Sequence, residues 1–257
     1  MLLARATRPL ARVTSRRAST STLASMSART PRARLSGADA VRVLWVCDVQ
    51  EKFAGAVKSF DRVALGASTL VRGLPMVHDK NVFMVSEQVP DKLGPTVEQI
   101  KRAMVDANEN ESANVFTRVY AKTRFSMWKS DNEAFLPARD NEAFLRGCYD
   151  QEVKFQHVIV GLEAHVCVLQ TVLDILRDRP SDDVFVCVDA VSSIRLEDRA
   201  VALRRMERAG AILTCTESVL FEVMEDATHP RFRDVSKLVR EAARFASQLT
   251  SSPLPSI

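Results

Sequence analysis

Six short and almost continuously apolar runs, each followed by a longer stretch with helical spacing, constrain this chain more than any other feature of its sequence. The runs lie at residues 41–48, 81–86, 115–120, 157–161, 184–189 and 211–214. A strand with one face in water alternates polar and apolar residues. The run Val43-Leu44-Trp45-Val46-Cys47 does not, so it suits a sheet covered on both faces. Helical stretches follow at roughly 59–74, 96–107, 132–148, 164–177 and 195–209, with two more at 217–224 and 232–245. In the 195–209 stretch Leu196, Ala200, Leu203 and Met206 recur at helical spacing, while Asp198, Arg199 and Arg205 are expected to face outward. Repeated strand–helix alternation predicts a parallel sheet, and right-handed crossovers place helices on both of its faces. The expected fold is α/β: a three-layer α/β/α sandwich with a central six-stranded parallel sheet.

Residues 39–245 carry no repeat and no low-complexity linker, so they read as one domain, with a flexible C-terminal tail at 246–257. With 257 residues, 46% hydrophobic and 26% charged, the chain has enough apolar material for a core. That excludes disordered, collagen-like and disulfide-scaffold proteins. The apolar runs fall far short of the roughly 20 residues that span a bilayer, so no membrane helix is expected. Five cysteines without a C-x-x-C pair read as free thiols of a reducing compartment. The net charge of +4 is unevenly spread: residues 1–38 hold eight arginines, no lysine and no acid. Setting those eight aside leaves 28 of the 36 Lys and Arg against 32 Asp and Glu, a net of −4. A nucleic-acid partner is therefore not expected. The segment 1–38 has the Arg- and Ser-rich, acid-free composition of a mitochondrial transit peptide, which plastid signals share. It lacks the apolar core of a secretory signal. The alternatives are a disordered basic tail or, if translation starts at Met26, a shorter cytoplasmic product.

In an open parallel sheet, ligands bind beyond the carboxyl ends of the strands. The first run ends in Asp48, the third is followed by Lys122, and the fourth leads through Gly161-Leu162-Glu163-Ala164-His165-Val166 to Cys167 at the start of a helical run. A helix's first turn and a nearby ammonium both favour the thiolate, the reactive form of cysteine. Asp48 would take the thiol proton and return it to a leaving amine. Backbone N–H groups in the turn before Cys167 would hold the developing oxyanion. Together these suit cleavage of an amide or related C–N bond through a thioester.

Those residues, in that order, resemble the isochorismatase-like (cysteine hydrolase) superfamily. The resemblance rests on Cys47-Asp48-Val49-Gln50-Glu51-Lys52-Phe53, on Lys122-Thr123-Arg124-Phe125-Ser126-Met127, on Gly161 through Val168, on Val188-Asp189-Ala190-Val191-Ser192-Ser193, and on Arg204-Arg205-Met206 through Gly210-Ala211. Glu87-Gln88, Leu93-Gly94-Pro95-Thr96 and Asp226-Ala227-Thr228-His229-Pro230 make it most like the eukaryotic isochorismatase domain-containing proteins. It covers about residues 41–240. It implies a Rossmann-like topology and a catalytic triad of Asp48, Lys122 and Cys167. It also implies a non-proline cis peptide, expected at Glu163–Ala164, with the Ala164 and Cys167 N–H groups facing the oxyanion. The superfamily commonly forms dimers or tetramers, so a homo-oligomer is expected. Phe53, Gln88, Phe125, Trp128 and His165 are expected to shape a small-molecule pocket near the three.

Two departures narrow the expectation. The nicotinamidases of this superfamily bind a metal through an Asp-x-His…His cluster after the second strand. Here that stretch reads Ser86-Glu87-Gln88-Val89-Pro90-Asp91-Lys92, so no metal and no other cofactor is expected. True isochorismatases cleave a vinyl ether without a cysteine, whereas Cys167 is present. The expected activity is that of a metal-independent cysteine hydrolase acting on a small amide, carbamoyl or related substrate. The alternative is a weak or inactive relative acting as an oligomeric binding or scaffold protein. Each residue also has a plainer explanation: Asp48 as a turn cap, Lys122 as a surface lysine, Cys167 as a buried apolar thiol. Cys47, Cys187 and Cys215 fall in or beside strands and read as core, and Asp189 as a capping residue. No G-x-G-x-x-G, P-loop or G-x-S-x-G is present.

Overall fold

The strands are β1 (Val41–Cys47), β2 (Asn81–Gln88), β3 (Val115–Lys122), β4 (Phe155–Gly161), β5 (Asp183–Val191) and β6 (Ile212–Thr214). The computed structural model describes residues 34–35, 40–108, 115–128, 155–250 and 252–255. The strands form one sheet in the order β3-β2-β1-β4-β5-β6, with every neighbouring pair parallel. Helix α1 (Phe60–Val77) follows β1, and α2 (Pro90–Leu93) and α3 (Glu98–Asn108) follow β2. Helix α4 (Leu169–Asp178) follows β4 and α5 (Leu196–Arg208) follows β5. Helices α6 (Thr216–Met224) and α7 (Phe232–Gln248) follow β6. The helix expected at 132–148 lies outside the described residues.

The apolar runs are continuous because both sheet faces are covered. Side chains alternate across a strand, so Leu44, Val46, Phe83, Val85, Val158 and Val160 enter one core with α1, α3 and α6. Their neighbours Val43, Trp45, Cys47, Val82, Met84 and Ile159 enter a second core with α4 and α5. This is the three-layer α/β/α sandwich expected.

Differences from the sequence reading are local. Helix α1 continues three residues beyond the expected end and carries Pro75 inside it. Arg199, expected to face water, is 1% exposed. Its guanidinium donates to the carbonyls of Val188, Val191 and Pro255, so it satisfies strand-end carbonyls that helical spacing cannot reveal. The tail boundary expected at 246 falls inside α7. Beyond it the Ser59 hydroxyl donates to the Ser252 carbonyl at 2.7 Å, and Leu254 packs on the core.

The strand order has one reversal of direction, beside β1. After β1 the chain steps outward to β2 and β3, then crosses back to β4 on the other side of β1. The crevice at such a switch point is where open α/β sheets bind ligands. One glycine closes the two strand ends together. Gly161 pairs with Cys47 in register and has φ +115°. A Cβ there would collide with the Cys47 carbonyl, and the Leu162 N–H donates to that same carbonyl at 2.7 Å.

Candidate active site

Asp48 leaves β1 in the left-handed region, φ +50°, which a short polar side chain tolerates. Its carboxylate is 1% exposed and is held from both sides. The Ser86 hydroxyl donates to Oδ1 at 2.7 Å, and the Lys122 ammonium donates to Oδ2 at 2.8 Å. Lys122 is the last residue of β3, two strands away from β1, and its side chain reaches across β2. It donates further to Gln88 Oε1 at 2.6 Å and to the carbonyls of Phe125 and Arg124 at 3.0 and 3.2 Å. Both partners of the ion pair are buried, with side chains 1% exposed. Burial by itself would lower the Lys122 pKa. The neighbouring Cys47, Asp48 and Cys167 and the Asp48 hydrogen bond outweigh burial and hold it above its ordinary value. Lys122 is therefore an ammonium at neutral pH, fixed against Asp48.

Cys167 arrives from β4. A π-turn, Ala164–Val168, precedes α4, and the Val166 and Val168 N–H groups donate to the Glu163 carbonyl. Such turns recur at functional sites. Cys167 is 6% exposed. Its Sγ, the Cys47 Sγ and an Asp48 carboxylate oxygen all lie within 4.8 Å of one another. Thr171 ties this turn to the lysine loop, donating its hydroxyl to the Cys167 carbonyl at 2.7 Å and accepting from the Met127 N–H at 2.9 Å. Residues from the ends of β1, β3 and the β4–α4 connection thus meet at one buried point.

The expected placements divide into three groups. Gln88, Phe125 and Glu163 sit at the site. Gln88 braces Lys122 and donates to the Thr123 carbonyl at 2.8 Å. Phe125 offers its carbonyl to Lys122 with a half-exposed ring, and Glu163 Oε2 accepts from the Ile194 N–H at 3.1 Å. Phe53 and His165 engage other parts of the molecule. Phe53 ends a short turn, Glu51–Phe53, and leans on the core of the α1 face. His165 Nδ1 is 3.0 Å from the Ser193 hydroxyl, with Glu163 and Asp198 carboxylates at 3.7 and 3.8 Å from its ring nitrogens.

The third group requires corrections. Trp128 is not placed beside the three. Its Nε1 donates to Asp178 at 3.0 Å and its ring packs on Trp45 and His157. Asp178 ends α4, whose start adjoins Cys167, and at 1.5 Å per residue that is about 15 Å away. The cis peptide is at Leu162–Glu163, one bond before the expected position. The Ala164 N–H, expected to face the oxyanion, donates instead to the Ser192 carbonyl at 2.8 Å, because the β5–α5 loop reaches over this turn.

Ser86, Gln50 and Thr171 were not foreseen at the site, and Cys47, expected in the core, is buried there beside Cys167. Ser86 had a readable signal: it is the hydroxyl at the end of an apolar run, in register with Cys47. Gln50 is invisible locally. It bridges distant segments, donating to the carbonyls of Gln88 and Gly94 and accepting from the Gln88 N–H. Asp189 acts as the capping residue expected, accepting from the Thr216 N–H and hydroxyl at the start of α6. A cavity of about 460 Å³ lies elsewhere, between α1, α7 and residues 253–255, and none of Asp48, Lys122 and Cys167 lines it.

The stretch that would hold a nicotinamidase-type metal does not fit one. Glu87 Oε1 is taken up by the Thr96 N–H and hydroxyl at 2.6 and 2.8 Å. Among the described residues the one grouping of metal-ligating type is Cys47, Asp48 and Cys167, where the Lys122 ammonium already occupies the cation position.

Residues 42–218 match the isochorismatase domain family. The chain is 35% identical over 199 residues to the secreted isochorismatase effector Isc1 of Phytophthora sojae, covering 77% of this chain and 84% of that protein. It is 34% identical over 202 residues to isochorismatase domain-containing protein 2 of Homo sapiens, covering 78% and 84%. Among solved structures, the MAR1 ribonuclease from Caenorhabditis elegans superposes with a TM-score of 0.64 at 32% identity, covering 88% of this chain and 97% of that one.

Proposed function

This chain belongs to the isochorismatase family, and from that premise we propose that it is a metal-independent cysteine hydrolase acting on a small amide, carbamoyl or related C–N substrate. The observation that carries the reading is the buried meeting of Asp48 and Lys122, from the ends of β1 and β3, with Cys167 from the β4–α4 connection. Asp48 accepts the Cys167 proton, and the thiolate attacks the carbonyl carbon. The tetrahedral oxyanion is held by backbone N–H groups of the turn, Cys167's among them. Asp48 returns the proton to the leaving nitrogen, and a thioester remains. Asp48 then draws a proton from water, which hydrolyses the thioester and frees the thiol. Lys122 keeps Asp48 oriented and balances the charge that alternates between carboxylate and thiolate.

The test is a panel of small amides, carbamates and ureides, with isochorismate as the vinyl-ether competitor. We expect turnover of a C–N substrate, a thioester adduct on Cys167 with a slow substrate, and no turnover in Cys167→Ala at unchanged melting temperature. Equal activity in that variant removes the nucleophile assignment. Silence across the panel, with a stable partner recovered, favours the oligomeric binding protein. The name of the C. elegans relative supports a second reading, RNA cleavage. The net negative charge of residues 39–257 weighs against it, and labelled RNA in the same assay decides it.

We further propose a homo-oligomer, dimer or tetramer, to be measured by sedimentation. β3 is an edge strand among the described residues and exposes Val119. Residues 1–38 are proposed to be a mitochondrial presequence. The Phytophthora relative is named as secreted. Imaging a C-terminally tagged full chain, and one starting at Met26, separates mitochondrial, cytoplasmic and secreted outcomes.

A further inference from the structure

The proposed reaction uses one of two thiols that lie together. Cys47, the last residue of β1, has its Sγ within 4.8 Å of the Cys167 Sγ, yet it plays no part in the steps above. The sheet explains the approach. Cys47 is paired with Gly161, which has no side chain to stand between them. The chain turns there, and Cys167 comes back over Cys47 into the same core. Cys187 lies in the core of the opposite sheet face. Cys215 lines the distant cavity.

The two thiols are also chemically unequal. Cys47 is fully enclosed, and burial pushes its thiol well above its ordinary value, with the hydrogen bond to Cys167 and the Asp48 charge adding to it. It remains S–H at neutral pH. Cys167 keeps 6% of its surface exposed, whereas Cys47 keeps none.

We propose that Cys47 and Cys167 form a peroxide-sensitive pair, in which Cys47 resolves the oxidised nucleophile as a disulfide. The inference rests on the reading of Cys167 as nucleophile and adds a regulation of that site. The Cys167 thiolate attacks hydrogen peroxide: an S–O bond forms, the O–O bond breaks, the sulfur loses two electrons and hydroxide leaves. The Cys47 thiol then attacks the sulfenic sulfur. An S–S bond forms, the S–O bond breaks, and the sulfenic hydroxyl leaves with the Cys47 proton as water. The disulfide removes the nucleophile reversibly. An unresolved sulfenic acid would go on to the sulfinic acid, which ordinary thiols do not reduce.

The full chain is exposed to hydrogen peroxide, blocked with an alkylating agent and digested with trypsin without reduction. Cleavage after Arg42 and Lys52 isolates Cys47, and cleavage after Lys154 and Arg177 isolates Cys167. We expect peptides 43–52 and 155–177 joined, lighter by two hydrogens, with full recovery of Cys167 alkylation after dithiothreitol. In Cys47→Ser the linked pair is absent, Cys167 gains two oxygens, and alkylation does not recover. Peptide 43–52 unlinked in the wild type, with Cys167 reaching the sulfinic acid as fast as in Cys47→Ser, overturns the proposal, as does linkage of Cys167 to another cysteine. The wild-type linkage stands as a test even if the variant folds poorly. Linkage without any turnover sinks the hydrolase reading and leaves the pair, whereas turnover without linkage does the reverse.

Discussion

Removing the Lys122 ammonium leaves Asp48 buried with no counter-charge, and that defines what the residue does for the fold as well as for chemistry. Breaking one half of a buried pair costs about 3–5 kcal/mol, far more than the pair's net contribution. We expect Lys122→Ala to lose stability of that order in denaturant unfolding, and Asp48→Asn/Lys122→Met to recover most of it. An unchanged midpoint in the single variant would mean the pair is not enclosed as described. Gly161 is the second residue the site depends on. Its positive φ and the Cys47 carbonyl beside it leave no room for a Cβ. Gly161→Ala should therefore cost at least about 3 kcal/mol or prevent folding, whereas alanine at exposed Gly55, with nothing near it, should be tolerated. Asp48, Lys122 and Cys167 were legible in the sequence because each interrupts or follows an apolar run. Ser86 ends an apolar run in the same way and was passed over, Gln50 was invisible because its partners lie far off along the chain, and Cys47 was read as core, where it lies.

Among the elements, the strands and most helices follow from periodicity, and the departures occur where one element is held by another. Helix α6 begins at Thr216 because Asp189, at the end of β5, supplies the cap that its own N-terminal residue does not. Asp189→Ala should cost about 1–2 kcal/mol, read as a lower melting temperature with the turnover of Cys167 intact. A variant that loses activity at full stability would place Asp189 in the chemistry instead. Trp128 shows the opposite case. The Met127 N–H bond to Thr171 and the Trp128 bond to Asp178 lay the segment after β3 along α4. The indole therefore closes the core near His157 rather than the site, and no local pattern encodes that course.

For the molecule as a whole, two histidines, His157 buried and His78 half-buried, predict sensitivity to acid. Burial and the neighbouring Arg42 lower the His78 pKa from 6.5 to about 4. Burial also lowers that of His157, which accepts from the Trp45 N–H through Nδ1 and so offers its Nε2–H to Asp182. Unfolding restores ordinary values. Between pH about 6.5 and 4 the unfolded chain therefore binds protons at His78 that the folded chain does not, and stability falls as pH falls through that window. Denaturant midpoints at pH 7 and 5 should show the loss, reduced in His78→Gln. A flat profile would mean that His78 is solvated. By itself the sequence determined the layer architecture, because continuous apolar runs require a sheet buried on both faces. It also determined that Asp48 and Lys122 stand at strand ends and that Cys167 opens the helical run after β4. Only the tertiary structure decided which backbone N–H groups are already engaged, which bond is cis, and that a second thiol lies against the nucleophile. Those depend on strand order and on loops closing over the switch point, contacts between residues that sequence spacing keeps far apart.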